Sequence, residues 1–127
     1  MSEKGPPVFF DCDQAALDAA HDQAAYASKR HKLIKRRISD SQLARLLIAG
    51  PERVAYGPTS TKRFDIYFIR RVPVPVFVFI HGGAWRSGRL KKFVMPAEMF
   101  LAAAAHYVVT NFAWVQDVDG SLMVVAD

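Results

Sequence analysis

Two spacings of apolar residues divide the chain. Over residues 14–48 apolar positions recur at helical intervals (Leu17, Tyr26, Leu33, Ile34, Ile38, Leu43, Leu46, Leu47), alanine is frequent, and glycine and proline are absent. Ser39-Asp40-Ser41 carries short polar side chains that compete for backbone hydrogen bonds, so the spacing predicts two helices joined near residue 40. Gly50-Pro51 closes this region, glycine ending a helix and proline preventing its continuation. Residues 1–13, with Gly5, Pro6 and Pro7, read as a flexible arm.

Beyond residue 51 the period shortens. Residues 53–56 form a short strand candidate closed by Gly57-Pro58, and residues 64–70 alternate as a strand near a sheet edge does. Val76-Phe77-Val78-Phe79-Ile80 is apolar without alternation, which predicts a central parallel strand buried on both faces, with Pro73 and Pro75 fixing its start. Residues 93–105 read as a helix with Pro96 in its first turn, residues 106–112 as another strand, and residues 121–127 as the beginning of a last helix. Strand, helix and strand in succession predict an α/β fold: N-terminal helices, then about four strands of a mostly parallel sheet with one crossover helix. Residues 99–115 are too short, and with His106 and Asn111 too polar, for a membrane span.

Charge changes this picture only locally. The net charge is +5, and residues 29–37 hold six of the 17 lysines and arginines. Without them 11 positive residues face 12 negative ones, a balance of −1. With no aromatic residue in the run to stack bases, the stretch reads as a solvated helix face in preference to a nucleic-acid or membrane surface. The single cysteine, Cys12, excludes an internal disulfide framework and a cysteine-cluster metal site. With no leader pattern either, the expectation is a cytoplasmic protein without metal or cofactor.

Chemistry concentrates in His81-Gly82-Gly83-Ala84-Trp85, directly after the apolar strand. Glycines there let the backbone turn sharply and let another group approach it. Backbone N–H groups at the carboxyl end of a sheet can then serve as an oxyanion hole. The string Val-Phe-Val-Phe-Ile-His-Gly-Gly-Ala-Trp resembles the oxyanion-hole strand of α/β-hydrolase esterases, in particular the kynurenine formamidase (arylformamidase)-like branch. Tyr56-Gly57, Phe64-Asp65-Ile66-Tyr67, Val108-Val109-Thr110-Asn111-Phe112 and the stretch from Leu17 to Tyr26 add to the likeness, which spans residues 14–127. The resemblance implies hydrolysis of carboxylic-ester or aryl-formamide bonds in a small-molecule substrate. Gly83 and Ala84 would be the donors, Gly82 would shape the turn, His81 would hold the loop and Trp85 would wall the pocket.

The rest of that chemistry is missing. No Gly-x-Ser-x-Gly occurs, and no acid or base follows it, so the chain carries no catalytic residue of its own. It is expected to be the N-terminal part of a longer hydrolase and inactive alone, with an unpaired strand edge open to self-association. The alternative is a non-catalytic binding module that completes its sheet with a partner chain. A third reading takes Asp11 and Asp13 as the Asp-x-Asp of a haloacid-dehalogenase-like phosphatase. Gln14 stands where that family has glycine, and no later lysine and aspartate motif follows.

Overall fold

The computed structural model describes residues 5–71, 73–83 and 88–118. The chain divides into two compact units, Met1–Ile34 and Lys35–Asp127. In the first, β1 (Pro7–Phe9) and β2 (Cys12–Asp13) pair antiparallel around Phe10, which turns in the left-handed region at φ 50°. Helix α1 (Gln14–His21) starts on Asp13, whose carboxylate accepts from the Ala16 N–H at 2.8 Å and from the Gly5 N–H at 2.8 Å. Asp22 ends α1 and caps α2 (Gln23–Tyr26) by accepting from the Ala24 N–H.

Helix α3 (Arg30–Leu47) runs unbroken through Ser39-Asp40-Ser41, where the sequence predicted a joint. The breaks fall earlier, around Asp22 and residues 27–29. The physical reason lies in the use of Ser41: it is fully buried, and its hydroxyl accepts from the Met95 N–H at 3.2 Å, so it does not compete with the helix backbone.

The second unit is built on a four-stranded sheet in the order β3-β4-β6-β5, with β3 at Glu52–Ala55, β4 at Arg63–Tyr67, β5 at Val76–Phe79 and β6 at His106–Asn111. The expectation of a mostly parallel sheet is corrected here. Among the described residues β3 pairs antiparallel with β4, β4 antiparallel with β6, and only β5 runs parallel to β6. The short connection from Ala55 to Arg63 permits nothing but a hairpin, and β6 enters between β4 and β5 against the direction of β4.

β5 corrects a second expectation. Among the described residues it lies at the edge, with Val76, Phe77 and Val78 exposed and Phe79 half-buried. Phe77 and Phe79 turn toward the covered face, where Phe77 stacks on Phe100 at 3.9 Å and Phe79 lies 5.5 Å from Phe93. Val76 and Val78 turn to the other face and are exposed. Helix α4 (Met95–Ala102), with Pro96 in its first turn as expected, and a 3-10 turn at Leu90–Lys92 lie over the covered face. The core there is Ala44, Tyr67, Leu90, Phe93, Val94, Ala97, Tyr107 and Val109. Burial raises both tyrosine hydroxyls, Tyr67 to about 12, and Tyr107 donates to the Phe93 carbonyl at 2.7 Å. Asp65, buried on the same face, receives Arg53 through both oxygens at 2.6 and 2.8 Å, which raises the arginine. The helix read at residues 121–127 lies outside the described residues.

Candidate functional site

The parallel pair β5–β6 sends both strands to the same end of the sheet, and His81-Gly82-Gly83 leaves β5 there. His81 is only 3% exposed. Its imidazole lies between two aromatic rings, Phe93 at 4.9 Å and nearly parallel (4°) and Phe112 at 4.4 Å (21°). Nδ1 sits 3.1 Å from the Gly82 carbonyl, so this nitrogen carries the hydrogen and donates. Nε2 is buried without a hydrogen-bond partner among the described residues. The Arg37 guanidinium covers the Phe93 ring at 4.5 Å.

Burial lowers the His81 pKa, the Gly82 contact opposes this, and the Arg37 charge adds to the lowering. A depressed folded-state pKa means that the unfolded chain takes the proton first. The stability this histidine contributes is therefore complete above about pH 6.5, the ordinary imidazole value. It declines as the pH falls through that value toward the lower folded-state one. Denaturation midpoints measured between pH 7.5 and 5 are expected to fall more steeply for the wild type than for His81→Phe, which fills the same slot without titrating.

Glycine plays different parts along the turn. Gly83 adopts φ 137°, a conformation that residues with a Cβ rarely take, whereas a Cβ at Gly82 would meet nothing within 4 Å. Both are exposed at the end of β5. Ala84 and Trp85, the other expected donor and the expected pocket wall, lie outside the described residues.

Residues remote in sequence complete the setting. Gly88, at φ 97°, passes so close to the imidazole that a Cβ there would lie 2.6 Å from Nδ1. The Gly88 carbonyl receives the Trp114 indole N–H at 3.0 Å, and the Arg89 guanidinium lies 4.5 Å from the Trp114 ring centre. Sequence reasoning missed Gly88, Phe93 and Phe112 as supports of this turn. The one local signal was a lone glycine seven positions after His81.

A concavity of about 310 Å³ is lined by Arg45, Arg53, Asp65, Tyr67 and Lys91 among others. Its carboxylate is engaged by Arg53, and Arg45 donates to the Lys91 carbonyl at 2.8 Å. That leaves it without an acid–base pair for proton transfer. Among the described residues no cluster of histidine, cysteine, aspartate or glutamate could hold a metal ion, and no helix is long and apolar enough to cross a membrane. Of the basic run, Arg36 pairs with Asp40 at 3.5 Å, Arg37 packs on Phe93, and Lys29, Arg30, Lys32 and Lys35 are exposed.

The fold as a whole is similar to that of a solved protein. The chain shares its fold with a structure described as a putative thioesterase from Silicibacter sp. TM1040. The TM-score is 0.71 at 22% identity, over 80% of this chain and 40% of that one. The chain thus spans less than half the length of the Silicibacter protein. No family model matches, and no curated protein matches. These findings correct the assignment to the kynurenine formamidase-like branch of α/β-hydrolase esterases: the mixed sheet departs from the mostly parallel one expected, and the matching structure is described as a thioesterase.

Proposed function

We propose that this chain contributes the oxyanion-stabilising turn of a hydrolase of ester-type bonds, with thioesters as the first substrate class. The observation that carries this reading is the turn itself. Glycine backbone stands exposed at the end of β5, fastened underneath by a buried neutral imidazole between two aromatic rings. The description of the Silicibacter protein supports the choice of thioesters. Attack on a thioester moves negative charge onto the acyl oxygen, and fixed N–H donors aimed at it lower the barrier by roughly 3–4 kcal/mol each. Rigidity matters because donors that must reorganise during the reaction lose most of that benefit.

A nucleophile is required as well, and no Gly-x-Ser-x-Gly elbow occurs in this sequence. The test is therefore one of binding. An S-alkyl phosphonothioate, a stable mimic of the tetrahedral intermediate, should shift the amide resonances of Gly82 and Gly83 in a nitrogen–proton correlation spectrum. Gly50, remote from the turn, should not move. Turnover of acetyl-coenzyme A by the chain alone should stay at background. Unmoved Gly82 and Gly83 signals at saturating mimic would overturn the reading.

A further inference from the structure

The concavity beside β3 and β4 carries no acid–base pair, and its lining suits a different task. All the described residues around its 310 Å³ belong to the second unit, and none of them is in the turn after β5. Strand register builds one side of it. Arg53 stands opposite Asp65 across the β3–β4 hairpin, and Tyr67, two residues on, takes the same face. Helix α3 adds Arg45 near its end, and the 3-10 turn adds Lys91. Three cationic residues thus meet one carboxylate, a net charge of +2 (three minus one). The carboxylate is already matched, since Asp65 is buried and both its oxygens accept from Arg53. Arg53 uses Nε and Nη2 for this pair and keeps Nη1 for another acceptor. Arg45 gives Nη1 to the Lys91 carbonyl and keeps its other nitrogens.

Tyr67 supplies an independent observation. It is 2% exposed, it lines the cavity, and its hydroxyl has no hydrogen-bond partner among the described residues. Burial, with Asp65 adding to it and Arg45 and Arg53 opposing, holds that hydroxyl at a pKa of about 12, so it keeps its proton and can donate. The charges that reach it are those of the lining itself. Buried hydroxyls nearly always have a partner, so one set among cations marks a place where an acceptor binds. We infer that this cavity binds the phosphate group of a small phosphate monoester. Such a group carries roughly −1.5 to −2 charge at pH 7 and three strong acceptor oxygens. That matches the charge of the lining and the donors reaching it from β3, β4, α3 and the 3-10 turn. Guanidinium forks bind phosphate through paired N–H groups, and a lysine adds a point charge. Pro51, Leu90 and Val94 give the cavity an apolar wall for the organic part of the ester. Its volume falls at the lower end of small-molecule sites, roughly 300–1,000 Å³.

Isothermal titration calorimetry of the full chain with phenyl phosphate, at fixed ionic strength, tests this. Saturable one-to-one binding in the submillimolar range is expected, with inorganic phosphate and succinate each at least fivefold weaker. Lys91→Gln removes a charge from the lining and should weaken phenyl phosphate at least fivefold. Tyr67→Phe should weaken it as much and leave the urea midpoint in place, because the hydroxyl it removes holds no described part of the protein. A hydroxyl with a structural role would lower the midpoint instead. Lys91 is exposed, so its variant decides the matter if Tyr67→Phe fails to fold. The Gly82 and Gly83 amide signals should stay in place, which separates this site from the turn after β5. Absence of saturable binding, inorganic phosphate or succinate as tight as the ester, affinity undiminished in the folded variants, or binding that moves the Gly82 and Gly83 signals would each overturn the inference.

Discussion

Gly88→Val is expected to cost roughly 3 kcal/mol of stability and to displace the turn after β5, read as a lowered denaturant midpoint and as shifted Gly82 and Gly83 amide signals. Two causes act together. At φ 97° a β-branched residue is strained wherever its side chain goes, a cost of order 1–3 kcal/mol. The new Cβ would also lie 2.6 Å from His81 Nδ1, 2.9 Å from its Cε1 and 3.1 Å from the Gly82 carbonyl oxygen. A surface side chain would swing aside. The His81 ring has no such freedom, because Phe93 and Phe112 close it in from both faces. Relief must come from the backbone, and the backbone within reach is that of Gly82. The variant thus separates a loss felt at the turn from a general loss of stability: a lowered midpoint with Gly82 and Gly83 signals in place would refute the coupling between residue 88 and the turn.

Tyr107→Ala should cost about 3–5 kcal/mol, the range for removing a buried aromatic ring. Tyr107 is wholly buried in β6, with rings of Tyr67, Phe77, Phe79 and Phe100 within 5.7–6.5 Å of its own. Tyr107→Phe isolates the hydroxyl. It leaves the Phe93 carbonyl without its buried donor, at about 1–2 kcal/mol. Because the Phe93 ring lies flat on His81, this smaller change should also disturb the Gly82 and Gly83 amide signals. Urea denaturation of both variants checks the magnitudes, and a loss below 1 kcal/mol for Tyr107→Ala would contradict the packing described.

The elements most legible in the sequence were those whose pattern has a single phase. β4 and β6 lie within a few residues of their expected positions, and Pro96 stands in the first turn of α4. β5 was misread because Val-Phe-Val-Phe-Ile is apolar in both phases. Such a run is the same whether both faces are covered or only the phenylalanine side is. Strand direction was likewise illegible, since alternation sets which face a residue takes and says nothing of which way its neighbour runs. The misplaced helix joint has a tertiary cause: Ser41 spends its hydroxyl on Met95, 54 residues away, in place of its own backbone. Around the candidate site, the paired glycines announced a turn. What fastens that turn comes from Arg37, Phe93 and Phe112, brought together only by folding.

Sheet order also carries a consequence for biosynthesis. β4 and β5 are consecutive in the chain, yet β6 stands between them. A nascent polypeptide emerging from the ribosome can zip the β3–β4 hairpin at once, since its loop is short. β5 has no neighbour to hold until residues 106–111 arrive and slide into the gap. During that interval both strands bordering the gap offer unsatisfied peptide groups and apolar side chains, so the rate of this single insertion sets how long the young chain stays open to wrong strand pairing.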